Sequence, residues 1–315
     1  MDKTSDGIKK RAGTEQTLFK RLYKARFIYL WLLVPFGGMA VFNYYPFFNG
    51  LIHSLYDWNG VNRSEFIGLS NFIELFTRDP EFWPAMQRMA VLTIADVTKS
   101  LMPAFLLAWI LAHIINKKIS YSYRILLMLP AVVPGMVGIQ LWMGWMSANG
   151  LVNRILEAIG MSEMAHNWFG DPNTVVPALI FTGLPYINGA NTLIFLAGFM
   201  GISKELYEAL LVDGANGWQR FWYLEVPLLM SQVKLLLILA VIGAVQSYEG
   251  IMMMTGGGPG GSSMVPGLML YNHAFKYWRV GYASAIGVVL FAIIMVFTIL
   301  QYRYNKSSDT EYDAN

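Results

Sequence analysis

Six apolar runs, each about as long as a bilayer-crossing helix, occupy most of this chain of 315 residues. They fall at roughly 27–52, 88–115, 123–147, 174–201, 228–254 and 280–302. About 20 consecutive apolar residues span the hydrocarbon core of a membrane as an α-helix. The stretches between the runs are too short to fold as a sizeable soluble domain. Composition agrees, with 55% of residues hydrophobic and 14% charged, against about 25% charged in an ordinary globular protein. The expected fold class is all-α, a polytopic transmembrane helical bundle of six spans.

Charges between the runs set the orientation. With the N-terminus inside, the cytoplasmic side collects 15 basic residues and the outer side 5. An even number of spans then leaves both termini cytoplasmic. The layout expected is a basic cytoplasmic segment at 1–26, a transmembrane domain at 27–303 and a polar, disordered cytoplasmic tail at 304–315. In the first segment Leu18, Phe19, Leu22 and Tyr23 recur at helical spacing among Lys9, Lys10, Arg11, Lys20, Arg21, Lys24 and Arg26. That pattern suits a basic amphipathic helix on an anionic membrane surface or, equally, a solvated tail held beside the membrane. The run beginning near Phe27 is too long for a signal-peptide core and reads as a retained span. The net charge of +3 is dispersed between apolar runs, which does not make a nucleic-acid surface. With no cysteine, disulfide and thiolate chemistry are excluded.

The segment between the fourth and fifth runs, 202–228, is amphipathic and falls on the cytoplasmic side. Ser203 suits an N-cap, and Glu205 lies in the positive first turn of the helix it would start. Leu206, Ala209 and Leu210 make an apolar stripe, with Tyr207 and Leu211 beside it. Gly214 can end that helix. A second short helix through Phe221 and Trp222 reaches Pro227, a residue suited to the start of the next helix. Two short helices parallel to the membrane form a rigid knob that a partner can push.

This segment resembles the EAA loop of permease subunits in binding-protein-dependent ABC importers. The matching residues are Glu208, Ala209 and Leu210, then Asp213, Gly214 and Ala215, then Phe221, and finally Leu224 to Pro227. Upstream, Leu196 to Phe199, Ile202, Leu206 and Tyr207 fit as well. Leu210, Ser203 and Glu225 depart from the pattern. Thr255, Gly256 to Gly258 and Pro259 resemble the carbohydrate-uptake class, similar to the larger permease subunit of maltose-type importers. So do Tyr271, Ala274, Phe275 and Gly281 to Ala285, as do Tyr56 to Gly60 and Gly68 to Phe72.

The resemblance implies the type I ABC importer permease fold in a bacterial or archaeal cytoplasmic membrane. It implies a second permease subunit that is a different chain, a dimeric ABC ATPase beneath, and an extracytoplasmic solute-binding protein that delivers a saccharide. ATP and Mg would sit on the ATPase subunits, with no cofactor on this chain. Glu208, Ala209, Asp213, Gly214, Ala215, Phe221 and Pro227 would form the ATPase-coupling loop. The sugar pathway would run past Thr182, Gly183, Tyr186 and Asn188, with Asn191 nearby, and past Gly243, Ala244, Ser247 and Tyr248. Glycines leave room for a sugar ring, hydroxyl and amide groups bond it, and a tyrosine can stack on its apolar face. The small-residue stripe Ala240, Gly243, Ala244 and Ser247 also suits plain helix packing.

Asp96 and Lys99 fall inside the second run, one turn apart. A lone charge at the bilayer centre costs about 3 kcal/mol on insertion scales, so they read as a mutual pair; alternatively, Lys99 meets an acidic sugar. Lys234 can snorkel, while Glu249 has no such ordinary explanation. The four histidines show no metal-ligand spacing, and Gly256 to Gly261 lacks the Gly-Lys-Ser/Thr of a phosphate cradle. A non-catalytic subunit is expected. Rival readings are a secondary transporter working without an ATPase, a membrane-embedded enzyme, and an ABC permease for a polyol or glycerol phosphate.

Overall fold

The computed structural model describes residues 26–61, 64–114, 116–184 and 187–312. The basic stretch before Arg26 and the candidate pathway residue Tyr186 lie outside the described residues. The chain divides into two compact units at His53. In the first, α1 (Arg26–Met39), a π-turn (Ala40–Tyr44) and α2 (Tyr45–His53) follow without a break. Phe27, Trp31, Val34, Phe42 and Tyr45 are all exposed.

The second unit opens with a small antiparallel ribbon, β1 (Tyr56–Asp57) and β2 (Glu65–Phe66), in the register Tyr56 to Phe66. α3 (Ser70–Thr77) follows. The buried Asn71 amide ties α3 to the chain before it by donating to the carbonyls of Ser54 (2.9 Å) and Tyr56 (3.0 Å). α4 (Phe82–His113) is long and continuous. α5 (Lys117–Met128), a 3-10 turn (Leu129–Val132) and α6 (Gly135–Trp145) come next, then α7 (Leu151–Ala158). α8 (Val175–Phe181) and α9 (Gly189–Met200) are separate helices.

Among the described residues, three helical stretches are long and apolar enough to cross a membrane: Phe82–His113, Met230–Met254 and Val280–Arg303. The α5–α6 pair makes a fourth if its 82° bend is counted within one span. Two of the expected runs are therefore interrupted. In 123–147 the bend falls between Pro130 and Pro134, which each lack the N–H that would continue the helix. The run 174–201 is not one helix, because Gly183 takes φ +84° and the following Pro185 disfavours helical backbone at Leu184. Asn188 then starts α9 afresh, its side chain accepting the Asn191 N–H at 3.1 Å.

After the loop segment, α13 (Met230–Gln246) and α14 (Glu249–Met254) meet at a kink at Ser247 and Tyr248. α15 (Pro266–Phe275) precedes α16 (Val280–Tyr312). α16 runs ten residues past the expected end at 302, so the tail is helical through Tyr312. No Gly or Pro in that polar stretch stops it, and each added residue gains a backbone hydrogen bond.

Two apolar cores form. One gathers Met89 and Leu92 of α4, Val175 and Leu179 of α8, Val245 of α13, and Leu268 and Ile286. The other gathers Ala104, Ala108 and Leu111 of α4, Phe195 and Phe199 of α9, and Leu236 of α13. α4 and α13 serve both cores, with α8 in the first and α9 in the second. The stretch of α4 between the two cores carries Asp96, Lys99 and Ser100.

Candidate functional site

The segment 202–228 folds as two short helices joined by a sharp turn. α10 (Lys204–Val212) ends with Gly214 N–H donating to the Leu211 carbonyl (3.1 Å) and Ala215 N–H to the Leu210 carbonyl (2.9 Å). That paired cap needs a left-handed residue, and Gly214 sits at φ +74°, which glycine adopts at no steric cost. α11 (Gly217–Arg220) starts with a reciprocal cap, in which Asn216 and Gln219 each accept the other's backbone N–H at 2.9 Å.

Ser203 has N-cap backbone geometry but accepts no backbone bond through its side chain. Its hydroxyl serves Glu205, whose own backbone N–H and then Ser203 hold that carboxyl below its usual range. No residue of α10 is buried. Glu208, Ala209, Asp213 and Gly214 are exposed, as are Leu206, Leu211, Trp218 and, at 87%, Val212.

Past α11 the backbone widens into a π-turn, Phe221–Glu225, before the short α12 (Val226–Leu228), where Pro227 takes an initial position. Glu225 is 0% exposed. Its carboxylate accepts from Trp109 Nε1 (2.7 Å) and bonds His113 Nε2 (3.1 Å), both near the C-terminal end of α4. Arg220 Nε lies 3.3 Å away as a charge contact. Burial favours the neutral acid, but the hydrogen bonds from His113 and Trp109 outweigh it and hold Glu225 below the ordinary carboxyl value.

Tyr207 of α10 joins the same knot. Its pKa is pushed up to about 12, first by burial and then by the Glu225 carboxylate. The Arg220 guanidinium sits 5.4 Å over the Tyr207 ring, and the Phe221 ring lies 5.6 Å from Trp109. The knob is thereby bolted to α4. In the sequence Glu225 is visible only as a departure from a pattern, since Trp109 and His113 lie 116 and 112 residues away.

Between the two cores lie adjoining cavities of about 290 Å³ and 110 Å³ that share Asp96, Thr182, Ala244 and Ser247. The larger is also lined by Lys99, Ser100, Gly183, Asn188 and Gly243. Six of the eight candidate pathway residues thus gather around one space. Tyr248 does not line it; its ring stacks on Tyr271 at 5.6 Å and 28°. Asn191 reaches Ser100 Oγ at 2.9 Å. Lys99 Nζ lies 2.8 Å from Asp96 Oδ1. Glu249 occupies the first turn of α14, where the helix dipole favours an anion.

A helical membrane chain with a protruding two-helix knob and a polar space between its cores has the form of a transport permease. Residues 104–309 match the family model "Binding-protein-dependent transport system inner membrane component", and the chain belongs to that family. It is 33% identical over 278 residues to the multiple sugar-binding transport system permease protein MsmF of Streptococcus mutans, covering 87% of this chain and 93% of that one. It is 30% identical over 298 residues to the lactose transport system permease protein LacF of Rhizobium radiobacter, covering 92% and 97%. The structure is similar to that of a bacterial ABC transporter involved in the import of the acidic polysaccharide alginate, with TM-score 0.80 at 20% identity, over 92% of this chain and 99% of that one.

Proposed function

We propose that this chain is the permease subunit of an ABC importer and translocates a sugar or oligosaccharide handed over by an extracytoplasmic solute-binding protein. The relatives above are named for sugars, and a related structure includes a periplasmic protein bound to an alginate pentasaccharide. A second, different permease chain completes the pathway, and a dimeric ATPase carrying ATP and Mg drives it. The bundle crosses the cytoplasmic membrane six times with both termini inside. The continuous helical stretch Arg26–His53 supplies the first span, the α5–α6 pair the third, and α8 with α9 the fourth.

The observation that carries this reading is the knob at 202–228. It exposes Leu206, Leu211, Val212 and Trp218 together with Glu208 and Asp213, a mixed surface suited to a partner. Its other side is locked to α4 and continues into α13. When the ATPase pair closes on ATP, the knob is carried along, and α4 and α13 move with it around the cavity. The test is the assembled transporter in proteoliposomes. Glu208→Arg with Asp213→Arg should abolish solute-stimulated ATP hydrolysis and uptake while leaving membrane insertion intact. Normal uptake by that variant, or uptake by this chain alone driven by an ion gradient, overturns the reading.

A further inference from the structure

The intramembrane ion pair is unequal. The Lys99 side chain is only 15% exposed and spends two of its protons on the protein, one on Asp96 Oδ1 at 2.8 Å and one on the Thr182 carbonyl at 3.4 Å. The Asp96 side chain is 43% exposed and lines both cavities. Among the described residues it receives a single side-chain proton, from Lys99. The other polar lining groups are the neutral Ser100, Thr182, Asn188 and Ser247. Thr182 gives its own proton to the Leu179 carbonyl at 2.6 Å, which leaves its oxygen only as an acceptor, and Asn188 Oδ1 is taken by the Asn191 N–H. Among the described residues, no arginine, histidine or second acid lines either cavity.

We infer that Asp96 sets the charge selectivity of the pathway. The cavities take neutral polyhydroxylated or amino-bearing solutes and turn away carboxylated or sulfonated ones. The physical reason is that the more exposed of the two lining charges is an acceptor. A carboxylate in a space of reduced dielectric accepts from hydroxyl or ammonium donors strongly, whereas an anionic solute there meets a like charge and finds the nearest cation already committed. The acidic-sugar role open to Lys99 from the sequence is thereby reversed. A pair kept only to neutralise Lys99 would need no accessible carboxylate facing the cavity. This inference rests on the saccharide reading above, but its failure is separable, since charge selectivity is measured by binding without the ATPase.

The test uses the full-length chain in lipid nanodiscs and saturation-transfer NMR, which reads weak binding. The probes are maltotriose, the glucosamine trimer of chitosan and trigalacturonate, compared at one ionic strength. The two non-anionic probes should bind at least tenfold more tightly than trigalacturonate. The exchange variant Asp96→Lys/Lys99→Asp keeps a pair but presents the cation, and should invert the ranking of the two charged probes. The uncharged variant Asp96→Asn/Lys99→Met leaves no lone charge in the membrane and serves if the exchange fails to insert; it should level them. Equal or tighter binding of trigalacturonate to the native chain overturns the inference, as does an unchanged ranking in both variants or no binding of any probe.

Discussion

Glu225 and Trp109, 116 residues apart in the chain, are joined by a 2.7 Å hydrogen bond that fastens the two-helix knob to the end of α4. The carboxylate is fully buried and also meets His113 and Arg220. A motion imposed on the knob therefore reaches α4 directly as well as through α13.

Removing one member of a buried ionic group strands the others. Glu225→Ala should lower the unfolding free energy of the detergent-solubilised chain by about 3–5 kcal/mol. Glu225→Gln keeps an acceptor for Trp109 and should cost less. Chemical unfolding followed by circular dichroism checks the order; equal stabilities for all three proteins refute the clamp.

The lowered pKa of Glu225 fixes a pH dependence. Because the folded-state value lies below the ordinary 4.5, the stabilisation is present above that ordinary value. It is lost as pH falls through the lowered one. Within the carboxyl range, the advantage of the native chain over Glu225→Gln should shrink as pH falls and vanish below it. An advantage that persists undiminished well below the carboxyl range contradicts the assignment.

Gly214 has open space around it and φ +74°, so the cost of a side chain there is backbone strain alone. Gly214→Val should cost roughly 1–2 kcal/mol locally and reorient the turn, with Gly214→Asn milder. The readout is coupled ATP hydrolysis at unchanged helix content. Full coupling in the valine variant would show the turn to be dispensable.

Two glycines should respond oppositely. A Cβ on Gly189 would collide with the Leu127 carbonyl, whereas one on Gly243 meets nothing within 4 Å. Gly189→Ala should destabilise by about 1–3 kcal/mol through overpacking. Gly243→Ala should leave stability unchanged and narrow the larger cavity, which solute affinity would report.

At the other end of the bundle, Arg279 pairs with Glu74 at 2.7 Å with both side chains well exposed, while buried Tyr282 donates to Asp79 at 2.6 Å. Glu74→Gln should cost under about 1 kcal/mol because solvent screens the pair. Tyr282→Phe should cost about 1.5–3 kcal/mol, since it removes a bond to a charged acceptor. A larger loss from Glu74→Gln would reverse that ranking.

Apolar run length, the glycine-marked turn of the knob and the one-turn spacing of Asp96 and Lys99 were determined by the sequence alone. Each depends on neighbours within a few residues: a helix needs its own length of apolar chain, and a left-handed cap needs Gly214. The cavity lining was partly legible for the same reason, because Gly243, Ala244 and Ser247 share one face of one helix. The tertiary structure decided the rest. It stacked Tyr248 on Tyr271, away from the cavity. It also exposed Asp96 while committing Lys99, and brought Trp109 and His113 to Glu225. Those outcomes depend on which distant groups pack together and how much solvent reaches them, and that information is shared among separate stretches of chain rather than written in any one.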